Sequence, residues 1–268
     1  MLPEWTEGLD LDVPNVARMY DYWLGGSHNF AVDREAAEKV LATQPGVPYM
    51  ARQNRAFVRR AVRYLTARGI RQFLDLGSGI PTVDSVHEIA QAEAPETRVM
   101  YVDIDPVAVV HSAHLVADNP HADILQADIA DIVEILDHPS VRAMIDLREP
   151  VAVLLGSVLQ FLLGETPYRV VDVLRQAMVP GSYLVVSHAC SDPFPSSDAE
   201  RVTAVYDKAS TGGVQARSRA EIERFFDGFD LVQPGLVWLP QWRPEPGDDI
   251  PDDPTRAGLL AAVARRTR

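Results

Sequence analysis

The chain is poor in residues that build covalent or metal-bound frameworks. Its one cysteine, Cys190, cannot close an internal disulfide and rules out a cysteine-built zinc cage. A lone cysteine of this kind reads as a small buried hydrophobe. No His, Asp or Glu cluster has metal-ligand spacing, so no metal is expected. Positive charge is also scarce: 25 Lys and Arg face 38 Asp and Glu, for a formal net charge of −13. Without a basic excess to displace counterions, a nucleic-acid backbone is not an expected partner. Long apolar runs are missing too. The longest, "VAVLLGSVLQFLLG" from Val151, is too short to cross a bilayer. The acidic start "MLPEWTEGLDLD" lacks the apolar core of a secretory signal. The expected location is cytoplasmic, with no membrane partner. There is no Gly-x-Ser-x-Gly elbow, which excludes the corresponding serine hydrolases. Repeats and low-complexity blocks are absent.

What is present is ordinary in amount and informative in order. Apolar residues make up 47% and charged residues 24% of 268 positions, enough for a sizeable core. Val16, Met19, Tyr20, Trp23 and Leu24 recur at helical spacing, and Gly25–Gly26 supply a stop. A second helix starts near Asn29 or Asp33 and passes through Val40 and Leu41, with Pro45 and Pro48 closing it. "RQNRAFVRRAVRYLTARG" is a third, with Phe57, Val58, Ala61, Val62 and Leu65 on its apolar face and its arginines expected on a solvated face.

From Gln72 short apolar strands alternate with helices. The strands are "RQFLDLG", "RVMYVDID", "ADILQAD", "VAVLLGS" and "GSYLVVSH". "TVDSVHEIAQAEA" (Thr82 a candidate cap), "PVAVVHSAHLVAD" and "TPYRVVDVLRQAM" read as the helices between them, and Ser218 and Glu221 have capping-box spacing. "DLVQPGLVWL" and "GLLAAVAR" would close the sheet as an antiparallel pair, with an exposed "PEPGDDIPDDP" loop between them. This alternation predicts an α/β fold with a doubly wound, mostly parallel sheet. With no linker visible, the expectation is one domain over 1–268, comprising an N-terminal helical extension (14–68) and an α/β core (70–268).

Ligands of such sheets bind at the carboxyl ends of the strands, where strand order reverses. The first strand runs into "FLDLGSGIPT", in which Gly77 and Gly79 allow a tight turn and close backbone approach. A dinucleotide fingerprint wants a further glycine where Thr82 stands, so the nicotinamide pattern fails. Asp75 is ill suited to a pyrophosphate and well suited to a cationic amino group. Asp103, at the second strand's end, is placed to accept ribose hydroxyls, and Ile104 to pack on a flat base. Asp128, at the third, can accept from an exocyclic amine. Amine, ribose and base together describe S-adenosylmethionine better than a nicotinamide dinucleotide. The alternative is that each aspartate only caps the helix that follows it.

The stretches "ARMYDYWLGGSHNFAVDRE", "RQNRAFVRRAV", "QFLDLGSGIPT", "MYVDIDP" and "FFDGFDLVQPGLV" resemble the class I S-adenosylmethionine-dependent methyltransferases. More narrowly, they resemble an actinobacterial group largely without assigned substrates. The resemblance implies a Rossmann-like methyltransferase fold, with Asp75, Gly77, Ser78 and Gly79 at the methionine portion of the cofactor. It implies Asp103 at the ribose, and Asp128 with Ile129 at the adenine. Pro81, Gln160 and the pair Ser27–His28 depart from the family's expected pattern, Gln160 standing where a histidine is expected.

The expected activity is methyl transfer to a small-molecule acceptor, with His87 and His188 as candidate bases. A non-catalytic cofactor-binding sensor or interaction protein is the alternative. Residues 14–35 are expected to form a lid that bends at Gly25–Gly26. In it Arg18 meets the cofactor carboxylate, while Tyr22, His28 and Asn29 face the acceptor.

Overall fold

The computed structural model describes residues 12–81 and 84–267. The acidic start and the cap expected at Thr82 lie outside those residues. Helix α1 (Val16–Trp23) is capped by Asn15, whose side chain accepts from Ala17 N at 2.8 Å. It ends as Gly25 turns to a left-handed φ of +81°. Helix α2 (Ala31–Thr43) follows, with Phe30 N donating to Asp33 Oδ2 at 2.8 Å. Helix α3 (Val47–Thr66) begins earlier than its polar-apolar pattern suggests. Pro48 sits in its first turn, where a missing N–H costs nothing, and so opens α3 instead of closing α2.

The alternating region follows the expected order. Strand β1 (Gln72–Leu76) leads to α4 (Val86–Glu93), β2 (Arg98–Asp103), α5 (Pro106–Val116) and β3 (Ala122–Gln126). Two short helices, α6 (Ile132–Asp137) and α7 (Pro139–Met144), precede β4 (Ala152–Gly156). Then come α8 (Thr166–Ala177), β5 (Tyr183–Ala189), α9 (Ser196–Tyr206) and α10 (Arg219–Glu223). The cap of α4 is Ser85, whose N and Oγ both donate to Glu88 Oε2, at 2.9 and 2.7 Å.

The sheet has the order β3-β2-β1-β4-β5-β8-β6, in which β6 (Asp230–Leu231) and β8 (Leu259–Arg265) run antiparallel to each other. The first five strands are parallel, and β8 is antiparallel to β5. The expected closing pair is thus one long strand, β8, met by two short ones, because β7 (Val237–Trp238) also pairs with it.

Both faces of the sheet are covered, which is why its central strands are apolar throughout. Leu74, Met100 and Val153 point into one core with Ile135, Leu174 and Phe225. Their neighbours Phe73, Val99 and Leu154 point into the other, with Phe57, Leu65 and Trp242. A separate cluster joins Met19 and Trp23 of α1 to Ala37 and Val40 of α2, to Tyr206 at the end of α9 and to Ala209 just past it. No helix among the described residues is long and apolar enough to cross a membrane.

The arginines of α3 do not form one solvated face. Arg60 is buried, donating from Nε to Trp242 O and from Nη2 to Leu239 O, both at 2.8 Å. Its Nη1 meets Asp248 Oδ2 at 2.9 Å. A guanidinium that finds two carbonyls and a carboxylate in fixed positions is compensated for leaving water. The acidic loop is thereby tied to α3, although most of its residues are exposed.

Candidate functional site

Strand order reverses between β1 and β4, since the chain winds outward through β2 and β3 on one side and through β5 on the other. A cavity of about 270 Å³ opens there, at the carboxyl ends of the strands. Its floor holds Asp75, Gly77, Ser78, Gly79, Asp103 and Ile104, with Asp128 and Ile129 at one side. Every residue that the sequence assigns to the cofactor therefore lines one cavity, Arg18 excepted.

The glycine loop is built for close approach. Gly77 and Gly79 adopt φ of +72° and +67°, and a Cβ at Gly77 would overlap the Val158 side chain. Gly77 N and Ser78 N both donate to Val102 O, at 2.8 and 3.2 Å, and Gly79 N donates to Asp103 Oδ2 at 2.7 Å. Asp103 thus fastens the loop as well as facing the cavity; its Oδ1 accepts from Asp105 N at 2.9 Å. Burial raises its pKa, against the backbone N–H groups of Asp105, Gly79 and Ile104.

Asp75 is buried, and its carboxyl is pushed up to about 7. Loss of water is the main cause; Arg55 opposes it and Asp103 reinforces it. A carboxyl in that condition gains most from a cation brought to it. Asp128 is exposed and caps the short turn Ile129–Asp131 through Oδ1, which accepts from Ala130 N at 2.8 Å. Capping and cavity lining coexist here, since Oδ2 is not used by the cap.

Arg18 is buried away from the cavity lining. Its Nη1 stands 3.6 Å from Asp33 Oδ2 and its Nε 3.8 Å from Asp105 Oδ2, so α1, α2 and the β2–α5 turn share one buried charge cluster. Arg55 of α3 does line the cavity, with Nη2 3.5 Å from Ile80 O. The expected acceptor-facing residues also lie outside the lining. Tyr22 donates to Glu38 Oε1 at 2.5 Å on the outer side of α1. His28 N and Asn29 Nδ2 both donate to Asp21 Oδ2 at 2.8 Å, making the Gly25–Phe30 loop a closed polar turn.

The two histidines proposed as bases line no part of the cavity. His87 Nδ1 lies 2.8 Å from the Tyr101 hydroxyl, and burial lowers its pKa. His188 is fully buried, with Nδ1 2.8 Å from Ala189 O and Nε2 3.0 Å from Arg217 Nη1. Loss of water drives its pKa down to about 3. It is a neutral structural group donating from one nitrogen and accepting at the other.

The rest of the lining was given no binding role from sequence. Tyr20 and Trp23 come from α1, Asn54 and Arg55 from α3, Phe161 from the turn after β4 and Tyr206 from α9. Tyr20 and Trp23 lie on the apolar stripe that marks α1 as a helix, and that stripe faces the cavity as well as the core. Ser157, just past β4, lines the cavity with a left-handed φ of +61°. A non-glycine residue held there is a mark of functional sites.

A doubly wound sheet with a glycine turn, and with carboxylates at three successive strand ends, defines an α/β protein that binds a nucleoside-containing cofactor. The chain belongs to the S-adenosyl methyltransferase family, whose model matches residues 4–267. It is therefore an S-adenosylmethionine-dependent methyltransferase. A methyltransferase candidate from Thermobifida fusca YX is 40% identical, with 98% of each chain covered and a TM-score of 0.91. A DUF574-family protein from Streptomyces avermitilis is 37% identical, covering 96% of this chain and 99% of its own, at a TM-score of 0.90. The fold, though little of the sequence, is shared with 1,6-didemethyltoxoflavin-N1-methyltransferase of Burkholderia thailandensis (15% identity, 80% and 79% coverage, TM-score 0.50). Comparison with curated protein sequences gives no match.

Proposed function

We propose that the protein transfers the methyl group of S-adenosylmethionine to a small molecule held between the strand ends and α1. One observation carries this reading. A single cavity runs from Asp75, Asp103 and Asp128 to Tyr20, Trp23 and Tyr206, so cofactor and acceptor sites are continuous.

The residues fit the cofactor on their own chemistry. Ser78 Oγ is buried on the cavity without a hydrogen-bond partner, and the bare Gly77 backbone leaves room that a side chain would fill. Asp75 receives the amino group, and Arg55, the lining guanidinium, takes the carboxylate that sequence gave to Arg18. Asp103 accepts from the ribose hydroxyls with the lone pairs its backbone partners leave free. Ile104, 48% exposed, and Ile129 pack on the adenine, whose amine donates to Asp128.

When bound, the cofactor supplies a methyl group on a positively charged sulfur. The protein's task is then to hold the acceptor in line and keep water out. Such positioning supplies up to roughly 7–11 kcal/mol of a barrier in favourable cases. Helix α1 serves as the cover, with Val16, Tyr20 and Trp23 on the cavity and Tyr22 on the outside. Ser210 N donates to Pro14 O at 2.9 Å, and Asn15 Nδ2 donates to Ser210 Oγ at 3.0 Å, so the turn after α9 fastens this cover at its start.

Calorimetry tests the cofactor assignment: S-adenosylhomocysteine should bind at micromolar concentration and NADH should be silent. Incubation with methyl-labelled S-adenosylmethionine and a metabolite extract should then place label in small molecules. Label found only in macromolecules would overturn the small-molecule reading.

A further inference from the structure

On the methyl-transfer reading above, we infer that the acceptor is a planar, uncharged, unsaturated ring with an oxygen or nitrogen hydrogen-bond acceptor on its edge, met by the indole N–H of Trp23. The cavity wall opposite the strand ends is aromatic and apolar. It is made by Tyr20, Trp23, Met50, Phe161, Leu162 and Tyr206. Rings brought together this way favour flat partners that stack or meet them edge to face.

Most polar groups on this wall are already occupied. The Tyr20 hydroxyl donates to Ala51 O at 2.9 Å and accepts from Asn54 Nδ2 at 3.1 Å. Asn54 Oδ1 accepts from Ser187 Oγ at 2.6 Å. Gln160 donates from Nε2 to Ser157 Oγ at 2.8 Å and accepts at Oε1 from Ala189 N at 3.3 Å. Donors are left for a ligand, among them the Tyr206 hydroxyl, for which burial is the only influence on its pKa. Trp23, only 6% exposed, keeps its Nε1–H buried without a partner. The Ser157 hydroxyl, which accepts from Gln160, retains its own proton to give. A buried donor without an acceptor is unfavourable, so a ligand that brings an acceptor atom to the Trp23 N–H is selected, with Ser157 and Tyr206 able to donate beside it.

Charge narrows the class further. The lining acids sit at the strand ends and are taken by the cofactor, and Arg55 bears on Asp75. Among the described lining residues, no Lys or His and no further carboxylate stands on the aromatic wall. A cationic acceptor would lack a counter-ion there. The nucleophilic atom must also bring its own lone pair, because no side chain on the wall can take its proton first. That lone pair forms the bond to the methyl carbon as the carbon–sulfur pair returns to sulfur. Any proton the atom carried is shed to water afterwards.

The test uses the full chain saturated with S-adenosylhomocysteine, with three fragments titrated by calorimetry: quinolin-4-one, naphthalene and cyclohexylamine. Quinolin-4-one should bind most tightly and cyclohexylamine least. Trp23→Phe keeps a ring in place and removes the donor together with part of the stacking area, a loss that naphthalene reports by itself. It should weaken quinolin-4-one about threefold to tenfold more than it weakens naphthalene and leave S-adenosylhomocysteine unchanged. Ser157→Ala, which leaves the helical wall intact, should weaken the same fragment and no other. Failure of quinolin-4-one to bind at millimolar concentration, preference for cyclohexylamine, or indifference of quinolin-4-one to both substitutions would overturn the inference. Failure of S-adenosylhomocysteine itself to bind the unaltered protein would instead overturn the reading beneath it.

Discussion

Cofactor binding should depend on pH through Asp75. Its carboxyl, held up near 7 by burial, must be ionised to pair with the cofactor's ammonium group. Below pH 7 a proton must leave before the ion pair forms, so affinity falls about tenfold for each pH unit. Between pH 8 and pH 5 the dissociation constant for S-adenosylhomocysteine should rise about a hundredfold. Calorimetry in two buffers of different ionisation enthalpy counts the proton released, close to one at pH 5.5 and almost none at pH 8.5. Asp75→Asn should bind weakly at all pH values with a flat profile. A flat profile in the unaltered protein, or an unchanged slope in Asp75→Asn, would refute the reasoning. Melting curves are a poor substitute. A carboxyl raised in the folded state stabilises at low pH, and that contribution, about 4 kcal/mol, is lost as pH rises from about 4 to 7. His188, lowered in the folded state to about 3, contributes stability that is present above pH 6.5 and lost as pH falls toward 3. The two slopes oppose each other over most of the same range.

Other expectations follow from single contacts. Gly77→Ala combines a positive φ with overlap on Val158 and should cost about 1–3 kcal/mol in unfolding free energy while weakening cofactor binding, both read in urea titrations with and without ligand. Asp103→Ala loses the ribose contacts and the tether to Gly79 N; calorimetry should show affinity down about tenfold to a hundredfold. His188→Ala leaves Arg217 short of an acceptor and should cost about 1–3 kcal/mol of stability, with the turnover number of the folded variant unchanged. If residues 16–24 act as a cover, S-adenosylhomocysteine should protect their amides from hydrogen exchange. Protection confined to Gly77 and the later strand ends would make α1 a fixed scaffold.

The strands and the floor of the cavity were legible because each depends on local pattern. Short apolar runs mark strands covered on both faces, and Asp75, Asp103 and Asp128 stand where such strands end. Residues that reach the cavity from a distance were not legible. Tyr206 enters from the end of α9 and Thr211 from the turn after it, in a stretch whose polar composition hides its role. Arg18 and Arg55 look alike in sequence, and only the packing of α1 on α5 and of α3 on the sheet sends one to Asp105 and the other to the cavity. Tyr22 and Trp23 are neighbours, yet the helical rotation between them sends one to Glu38 and the other inside. His87 and His188 carry no local mark that separates a buried structural imidazole from a base.

Strand β8 sits between β5 and the two short strands β6 and β7, although it follows all of them in the chain. Its residues Leu259–Ala264 are buried, so it is the keystone of that half of the sheet. During synthesis β5 must therefore wait, with one edge unpaired, while some seventy further residues leave the ribosome; at about 5–20 residues per second that is a delay of several seconds. An apolar edge exposed for so long is open to wrong pairing. Recombinant yield should thus respond to translation speed between residues 190 and 258, and to chaperone supply, more than to substitutions around the cofactor.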